Sequence, residues 1–455
     1  MKKNVSPWIH QLDKERKIEV LKKDTSVDVA IVGGGIAGIS TAFFILKNSN
    51  KKVVLVEATR IAHGATGHNA GQVCSYFEKP FYNLVEQFGN EMAAKGQKEI
   101  EDAWSLIDEM YTSGGLDISF SRFIGYDGFS TYTQVIDELK SLKSRKDAEL
   151  SFHKMLIAKN ADFINNISEE FKDYYSVVDQ EEILQKLETS KNNFIALSLE
   201  QKGIINSALF CQEIAIYLLG KYKERFEIYE NTKIEKVILK EDHALLDAGQ
   251  AVIESKKIIL CTNGFENIEI FNKSGLDIDT KFHHFINGVV ARMSGYLEEM
   301  NKPPAAINYY IEEEGGFDNM EDPYFYLTRR KYEFEEGKDH NLISLGGPQH
   351  GIADREEYLF EFEYVDEVQS EIDEFVRSLY EVEPNKKIEY IFTWHGLMGY
   401  TPSGVRIIGE EPKNPILLYN LGCNGVGILP SIYGGEKISQ ILNGEQFPVS
   451  IFDPQ

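Results

Sequence analysis

Residues 28–38 decide the fold, and they read Asp28-Val29-Ala30-Ile31-Val32-Gly33-Gly34-Gly35-Ile36-Ala37-Gly38. The β-branched run before the glycines predicts a buried strand, and residues 39–47 after them predict a helix. A second apolar run over residues 52–57 predicts another strand and ends in Glu57. Strand, glycine-rich turn, helix and strand in this order form one βαβ unit.

The glycines of this unit match the pattern Gly-x-Gly-x-x-Gly at Gly33, Gly35 and Gly38. In that pattern they allow a tight turn, let the backbone approach a pyrophosphate and let the helix pack closely on the strand. The helix N-terminus offers unpaired N–H groups and the positive end of its dipole to phosphates. Glu57 stands where a carboxylate accepts hydrogen bonds from a ribose diol. The sequence therefore predicts a dinucleotide site.

The composition of the 455-residue chain excludes several classes of protein. Hydrophobic residues make up 42% of it, which is enough for large cores and excludes intrinsic disorder. The net charge of −24 disfavours nucleic acid and acidic membranes as partners, because both are negatively charged. The four cysteines lie far apart without a CxxC pair, and no histidine has metal-ligand spacing with a carboxylate. We therefore expect neither a disulfide framework nor a metal site.

Two features bear on localisation. The lead-in over residues 1–25 is polar and lacks the apolar core of a signal peptide. Residues 29–46 are almost uncharged, but their four clustered glycines fit a strand, turn and helix better than a membrane span. We expect a cytoplasmic protein without a membrane span.

The rest of the chain alternates between helical and strand-rich parts. Amphipathic helices are predicted up to residue 198, a second α/β segment begins near residue 203, and residues 281–347 are strand-rich. Side chains alternate along a strand, so only one of His283 and His284 would face a cleft. The Glu312-Glu313-Glu314 cluster is typical of a solvated loop. The densest motif lies in the last 60 residues or so.

At this point the sequence resembles the D-amino-acid-oxidase-like FAD oxidoreductases, which include glycine, sarcosine and γ-glutamylputrescine oxidases. The matching pieces span the chain in the family's order: residues 28–38, residues 64–72 (GATGHNAGQ), residues 261–264 (CTNG), residues 394–397 (WHGL), residues 401–404 (TPSG), residues 408–409 (IG) and residues 420–427 (NLGCNGVG). The resemblance implies FAD as the cofactor. Sarcosine-oxidase relatives attach their flavin through a cysteine just before the Thr-Pro turn, and because residues 397–400 contain none, we expect FAD to be held non-covalently. The resemblance is specific for the fold and the cofactor, and much less specific for the substrate.

The resemblance also implies a set of residues around FAD. The loop 64–73 would pass the ribityl chain and ring, the backbone of Val237 would approach the adenine, and residues 422–427 would close over the pyrimidine end. Together with the βαβ unit, the expected cofactor residues are Gly33, Gly35, Ile36, Ala37, Gly38, Glu57, Ala58, Gly64, Ala65, Thr66, Gly67, His68, Asn69, Ala70, Gly71, Gln72, Val237, Thr262, Asn263, Gly264, Gly422, Asn424, Gly425, Val426 and Gly427.

The expected fold is α/β (α+β overall), with a Rossmann-like FAD-binding domain and an antiparallel-sheet substrate domain, both discontinuous. Residues 26–79, 199–270 and 392–455 would form the FAD-binding domain. Residues 80–198 and 271–391 would form the substrate-binding domain.

The substrate site is less constrained, and His395, Arg329 and Met398 are the candidates for it. The position after Gly-Leu, where glycine-oxidase relatives place a carboxylate-binding arginine, holds Met398, which cannot form a forked pair with a carboxylate. Arg329, Arg330 or Arg292 could replace that arginine. His395 either faces the substrate or lies in the core beside a turn.

The reaction that the resemblance implies is oxidation of a C–N bond in a small-molecule amine or amino acid, with hydride transfer to flavin N5. The resulting imine would hydrolyse. The electron acceptor is O₂ or another species, so a dehydrogenase and a flavin subunit of a heteromeric complex remain alternatives, as does a D-amino-acid oxidase or dehydrogenase. Because Met398 replaces the carboxylate clamp, a larger or cationic amine is expected to be preferred over glycine or simple D-amino acids.

Overall fold

The computed structural model describes residues 4–264, 268–278, 286–311, 324–335, 337–352, 358–360, 366–380, 382 and 387–454. The pair His283 and His284 and the cluster Glu312-Glu313-Glu314 lie outside these residues.

Nine α-helices occur in the described part of the chain. They are α1 (Pro7–His10), α2 (Ile36–Asn48), α3 (Phe81–Phe88), α4 (Asn90–Gly114), α5 (Tyr132–Asp147), α6 (Gln180–Lys186), α7 (Ser207–Lys221), α8 (Asp366–Leu379) and α9 (Ile428–Leu442). Local sequence fixes several of their ends. Helix α5 begins with a capping box, in which Thr131 and Gln134 each satisfy the other's backbone N–H. Helix α4 ends at Gly115, whose φ of 60° suits the left-handed cap.

Nineteen strands are described. They are β1 (Thr25–Val32), β2 (Val53–Val56), β3 (Gln72–Cys74), β4 (Phe120–Phe129), β5 (Met155–Ala158), β6 (Tyr175–Val178), β7 (Ala196–Ile205), β8 (Phe226–Tyr229), β9 (Lys236–Leu239), β10 (Ala244–Asp247), β11 (Val252–Leu260), β12 (Glu269–Asn272), β13 (Asn287–Glu298), β14 (Ala305–Tyr310), β15 (Tyr324–Glu335), β16 (Lys338–Ile352), β17 (Phe392–Tyr400), β18 (Ile407–Glu410) and β19 (Leu417–Leu421).

The first sheet contains the predicted βαβ unit. Its strands run in the order β12-β9-β10-β11-β1-β2-β8, with β19 beside β11 and β18 beside β19. Strands β8, β2, β1, β11 and β19 are parallel neighbours, and their apolar residues are buried on both faces. Helix α2 packs between this sheet and α9. Parallel strands covered by helices in this way are typical of a doubly wound α/β domain.

The second sheet is mostly antiparallel and has the order β17-β13-β16-β15-β14-β4-β7-β5-β6, with β3 beside β7. Helix α8 covers one face of it, which we call the outer face, through a core that includes Ile307, Leu327 and Phe375. The opposite, inner face carries Trp394, Leu342 and Tyr332. It contacts Ala70, which belongs to the loop Gly64–Gln72, called the glycine-rich loop below.

The mixed α/β fold class is confirmed. Strands β3, β7 and β17 come from segments that the expected division assigns to the FAD-binding domain, yet they pair within the second sheet. The two sheets are thus joined through these strands, and the division into domains stays a prediction. No helix in the described ranges is both long and apolar enough to cross a membrane.

Candidate functional site

The glycine turn lies between β1 and α2, as the sequence predicts. Gly33 has a φ of 107°, and a Cβ atom there would come within 2.6 Å of the Cys261 carbonyl oxygen. A Cβ atom on Gly38 would overlap the Gly33 carbonyl oxygen. Only glycine therefore lets the start of α2 lie this close to the ends of β1 and β11.

The turn also holds hydrogen-bonding groups that suit a pyrophosphate. Gly35 caps α2 without a side-chain hydrogen bond, and only the first amide, that of Ile36, reaches a side chain, the Thr66 hydroxyl at 2.9 Å. The amides of Ala37 and Gly38, like those of any first helical turn, have no acceptor within the helix. Thr262 follows Cys261 at the end of β11, next to Gly33, and its hydroxyl is buried without a hydrogen-bond partner among the described residues. These donors fit the phosphates of a dinucleotide.

Glu57 lies at the end of β2, with its carboxylate folded onto the glycine turn. Its Oε2 accepts a hydrogen bond from the Gly34 amide at 2.7 Å, and its Oε1 accepts one from the Thr59 amide at 2.9 Å. Burial raises the pKa of Glu57, although these hydrogen bonds oppose the shift. Ala58, the next residue, is exposed. The contact of Glu57 with a ribose stays a prediction.

Val237, which was expected to approach the adenine, does not lie near Glu57 and the glycine turn. It is fully buried in β9, which β10 and β11 separate from β1. The segment beside Glu57 is the one that follows β8, where the Thr232 amide donates to the Glu57 carbonyl oxygen at 2.9 Å. Sequence reasoning missed this segment because its contact with β2 is made across the sheet, more than 170 residues along the chain.

The loop from Gly64 to Gln72 leaves the βαβ unit and enters the second sheet. Residues Ala65–Gly67 form a short 3₁₀ turn, and Gln72 begins β3. Asn69 holds the loop together, because its Nδ2 donates to the Thr66 carbonyl and its Oδ1 accepts from the Gly71 amide, at 2.9 and 2.8 Å. The Asn69 side chain thus satisfies backbone groups of the loop itself.

We expect Asn69→Ala to weaken FAD retention about tenfold. The change removes three hydrogen bonds, to Thr66, Gly71 and Ser207, and a net loss of about 1–2 kcal/mol is ordinary for such a group. The measurement is the dissociation constant of FAD from flavin fluorescence. Asn193→Ala, at an exposed position, is the matched control. Equal FAD affinity in the two variants would contradict this role of Asn69.

His68 lies within the same loop and is buried. Burial lowers the pKa of His68 to about 3, so its imidazole is neutral. Its Nδ1 lies 3.0 Å from the Gly64 carbonyl oxygen and so carries the proton. The ring is thus a structural donor within the loop.

The polar lead-in contributes more than the sequence indicates. Trp8 is fully buried, and its Nε1 donates to the Asn69 carbonyl oxygen at 2.6 Å. The Ser6 hydroxyl donates to the Gly67 carbonyl oxygen, and Val5 forms a β-bridge with Thr393. The N-terminal segment therefore supports the glycine-rich loop from behind. A single tryptophan in a charged stretch was the only signal for it.

The C-terminal loop Gly422–Gly427 is tied to β17 by two asparagines. Asn424 has a φ of 46°, and its Oδ1 accepts from the Thr401 amide at 2.8 Å. Asn263 donates to the Leu397 carbonyl oxygen at 3.2 Å and accepts from the Cys423 amide at 3.0 Å. Both side chains are thus occupied in positioning the loop, which leaves the backbone of Gly425, Val426 and Gly427 to meet a cofactor at the start of α9.

Strand β17 turns one row of side chains toward these loops. Trp394 Nε1 donates to the Asn69 carbonyl oxygen at 3.3 Å, and a Cβ atom on Gly396 would lie 2.5 Å from the His68 carbonyl oxygen. Because side chains alternate along a strand, Met398 and Tyr400 share this face. Both are half-buried. Met398 therefore lies on the side of β17 that faces the glycine-rich loop.

His395 lies on the other side of β17. It is buried, its Nδ1 lies 3.1 Å from the Tyr358 hydroxyl, and its amide donates to Asn4 Oδ1 at 2.9 Å. The structure thus favours the core interpretation of His395 over a substrate contact.

Arg329 does not face the loops either, contrary to its selection as a substrate residue. Its side chain lies on the outer face of the second sheet, 1% exposed, with Nη1 and Nη2 each 2.6 Å from an oxygen of Glu188. Its Nε donates to the Pro303 carbonyl oxygen at 2.7 Å. Side chains alternate along β15, so Arg329 lies on the outer face while its neighbours Thr328 and Arg330 lie on the inner face.

Arg330 and Arg292 have other partners as well. Arg330 lies on the Trp8 ring, 4.6 Å from its centroid, and donates to Gln11 at 2.7 Å. Burial lowers the pKa of Arg330 to about 10. Arg292 lies 2.7 Å from His350 Nδ1. Neither contact places a guanidinium beside Met398. Within the described ranges, no three His, Cys, Asp or Glu side chains are grouped as metal ligands.

The βαβ unit, its unpaired donors and the carboxylate at the second strand define a dinucleotide-binding protein of the Rossmann-like class. Residues 28–441 match the model of the DAO family, described as FAD dependent oxidoreductase. The chain belongs to this family, and FAD is its cofactor.

Solved structures with the same fold cover nearly the whole chain. Glycine oxidase from Geobacillus kaustophilus superposes with a TM-score of 0.64 at 14% identity, covering 94% of this chain and 97% of its own. L-proline dehydrogenase from P. horikoshii gives a TM-score of 0.66 at 14% identity, covering 94% and 95%. At such identities the likeness concerns the fold alone.

Among curated proteins, γ-glutamylputrescine oxidoreductase of Escherichia coli (strain K12) is 32% identical over 118 residues, which is 24% of this chain and 28% of that protein. In three curated relatives the matched part spans 18%, 54% and 28% of their own lengths.

Proposed function

We propose that this protein oxidises the C–N bond of an amine to an imine, which water then hydrolyses, with FAD as the non-covalently bound electron acceptor. FAD, when bound, supplies the two-electron acceptor for the hydride that leaves the carbon next to nitrogen. The carrying observation is that Met398 lies on the loop-facing side of β17, while Arg329 and Arg330 are both held elsewhere. The names of three similar proteins, glycine oxidase, L-proline dehydrogenase and γ-glutamylputrescine oxidoreductase, support oxidation of a C–N bond.

The chain itself would position the substrate and keep water away. Tyr326 and Trp394 belong to the apolar cluster on the inner face, and Met398 continues the same row along β17. An apolar surface beside the cofactor loops favours the uncharged amine, because burial disfavours the ammonium form. A hydride can leave the carbon only if the neighbouring nitrogen is neutral, because its lone pair then forms the C=N bond. By favouring the neutral amine, this apolar surface would promote the reaction.

The link to FAD is expected to be non-covalent. Residues Leu397 to Tyr400 contain no cysteine, and burial raises the pKa of Cys423, the cysteine nearest to β17, so its thiol stays protonated. Acid precipitation should therefore leave a colourless pellet and release all flavin into the supernatant. Yellow colour that stays with the precipitated protein would contradict the prediction.

The substrate class is tested by anaerobic reduction of the bound flavin, which is independent of the electron acceptor. We expect putrescine and its γ-glutamyl adduct to reduce the flavin about ten- to a hundredfold faster than glycine, sarcosine or D-alanine. A charge-assisted pair to a carboxylate contributes about 1.5–3 kcal/mol in sites that have one, and here Met398 cannot provide it. Rapid reduction by a small amino acid, lost in Arg330→Ala, would instead establish an amino-acid oxidase.

A further inference from the structure

A carboxylate and several tyrosines meet where β17 reaches the loop Gly422–Gly427. Glu78 lies in the connection between β3 and α3 and is half-buried. The Tyr400 hydroxyl donates to its Oε2 at 2.9 Å. A Cβ atom on Gly425 would overlap the same oxygen. Glu78 is thus held directly against the backbone of the loop that is expected to close over FAD.

The surroundings of Glu78 are aromatic. Besides burial, the Glu78 carboxylate contributes to the raised pKa of both Tyr400 and Tyr310. Burial raises the pKa of Tyr400 and of Tyr310 well above the ordinary value, so both phenols stay neutral. A carboxylate among neutral phenol rings is suited to an ammonium group, which gains both charge pairing and cation–π contact.

The same environment continues away from the loop. The charge of Asp127 also contributes to the raised pKa of Tyr310, and Asp127 is paired with the fully buried Lys202 at 2.7 Å. Asn308, opposite Asp127 on the neighbouring strand, donates to the Tyr76 hydroxyl at 3.4 Å. The fully buried Lys202 is thus paired with Asp127. The inner face near Glu78 is polar on the side of Asp127 and apolar on the side of Met398.

We propose that Glu78 binds the non-reacting ammonium group of a diamine or polyamine substrate, with Tyr400 holding the carboxylate in place. This rests on the proposed function and adds the identity of the second substrate group. The reacting amine must be neutral, so a carboxylate suits the distal nitrogen and not the one that is oxidised. Glu78 is in this sense a specificity residue.

The test uses three ligands of equal chain length on the FAD-loaded protein: 1,4-diaminobutane, 1-aminobutane and 4-aminobutanoate. Their dissociation constants are measured by anaerobic calorimetry on dithionite-reduced protein, where binding occurs without turnover. We expect the diamine to bind about ten- to a hundredfold more tightly than the monoamine, and the amino acid more weakly than both. Without a preference for the diamine, the proposal is overturned on the wild-type protein alone.

Two variants then locate the preference. In Glu78→Gln the ratio of diamine to monoamine affinity should fall about ten- to a hundredfold, because the amide cannot pair with the ammonium charge. Glu445→Gln, at an exposed position, should keep the wild-type ratio. An unchanged ratio in Glu78→Gln overturns the assignment of Glu78.

Flavin reduction by the same ligands separates the two proposals. If amines reduce the flavin but the affinity ratio is independent of Glu78, the ammonium site is wrong and amine oxidation stands. If the affinity ratio depends on Glu78 but no amine reduces the flavin, the ammonium site stands and amine oxidation is wrong.

Discussion

A Gly35→Val variant is expected to be purified without FAD. Gly35 caps α2, and a Cβ atom there would lie 2.9 Å from the Thr66 hydroxyl, which accepts the Ile36 amide. The branches of valine would displace this hydroxyl or extend over the first turn of α2, where the free amides lie. Phosphates could then no longer approach these amides, and the largest polar contact of the cofactor would be lost.

The measurement is the ratio of flavin to protein absorbance after purification, with circular dichroism to verify the fold. Gly220→Ala is the matched control, because a Cβ atom there has no neighbour within 4 Å. We expect full FAD content in Gly220→Ala and less than a tenth in Gly35→Val. A folded Gly35→Val protein with stoichiometric FAD would show that the phosphates bind elsewhere.

The phosphate turn could be predicted because its determinants are local. Strand β1, the turn and α2 follow one another within 25 residues, and Gly33 and Gly38 are needed at fixed positions in the turn. The helical spacing of apolar residues over 207–222 and 366–380 likewise predicts α7 and α8, and the observed ends differ from these by one residue at most. Periodicity and glycine placement decide such elements without any knowledge of tertiary contacts.

The substrate-facing residues could not be predicted in this way. Both faces of β15 are buried, so its sequence does not alternate between apolar and polar residues. The pattern therefore does not show which of Arg329 and Arg330 faces the cofactor side of the sheet. Glu78 and Tyr400 meet across 322 positions of sequence. Nothing near Glu78 in the sequence indicates that its carboxylate touches Gly425. These contacts arise from packing of the two sheets, which a local pattern cannot specify.

The second large effect concerns Arg329, whose role we assign to stability. Its guanidinium is buried on the outer face and forms a bidentate pair with Glu188. Removal of one member of a buried pair leaves the other charge without compensation, which costs about 3–5 kcal/mol. We therefore expect Glu188→Gln, which leaves the buried Arg329 charge unpaired, to lower the free energy of unfolding by about this amount, measured by urea denaturation of the FAD-loaded protein. Arg329→Ala should lower it less, because the Glu188 side chain is 24% exposed and keeps Lys302 as a partner.

Lys302 provides the matched control. Its Nζ lies 3.3 Å from the same Glu188 carboxylate, but its side chain is 44% exposed. An exposed pair contributes less than about 1 kcal/mol, so Lys302→Ala should have little effect on unfolding. A large effect of Lys302→Ala would mean that the Glu188 site is more solvent-shielded than its exposure indicates.

The effect of Glu188→Gln should also depend on pH. Burial alone would raise the pKa of Glu188, but the hydrogen bonds and charge of Arg329, together with Lys302, outweigh it and lower the pKa below 4.5. A carboxylate with a lowered pKa in the folded state stabilises the protein above its unfolded pKa, and this stabilisation is lost as the pH falls through the folded value. The difference between wild type and Glu188→Gln should therefore be full at pH 7 and shrink below about pH 4.5.

Substrate preference separates this structural role from a catalytic one. Since Arg329 faces α8 and not the loops at Met398, Arg329→Ala should leave the ratio of flavin reduction rates for putrescine and glycine unchanged, despite its lower stability. The measurement is made at a temperature well below the unfolding transition of the variant. If the free energy of unfolding stayed the same while the relative rate with glycine dropped, Arg329 would have to reach the substrate, and the outer-face position of its guanidinium would be refuted.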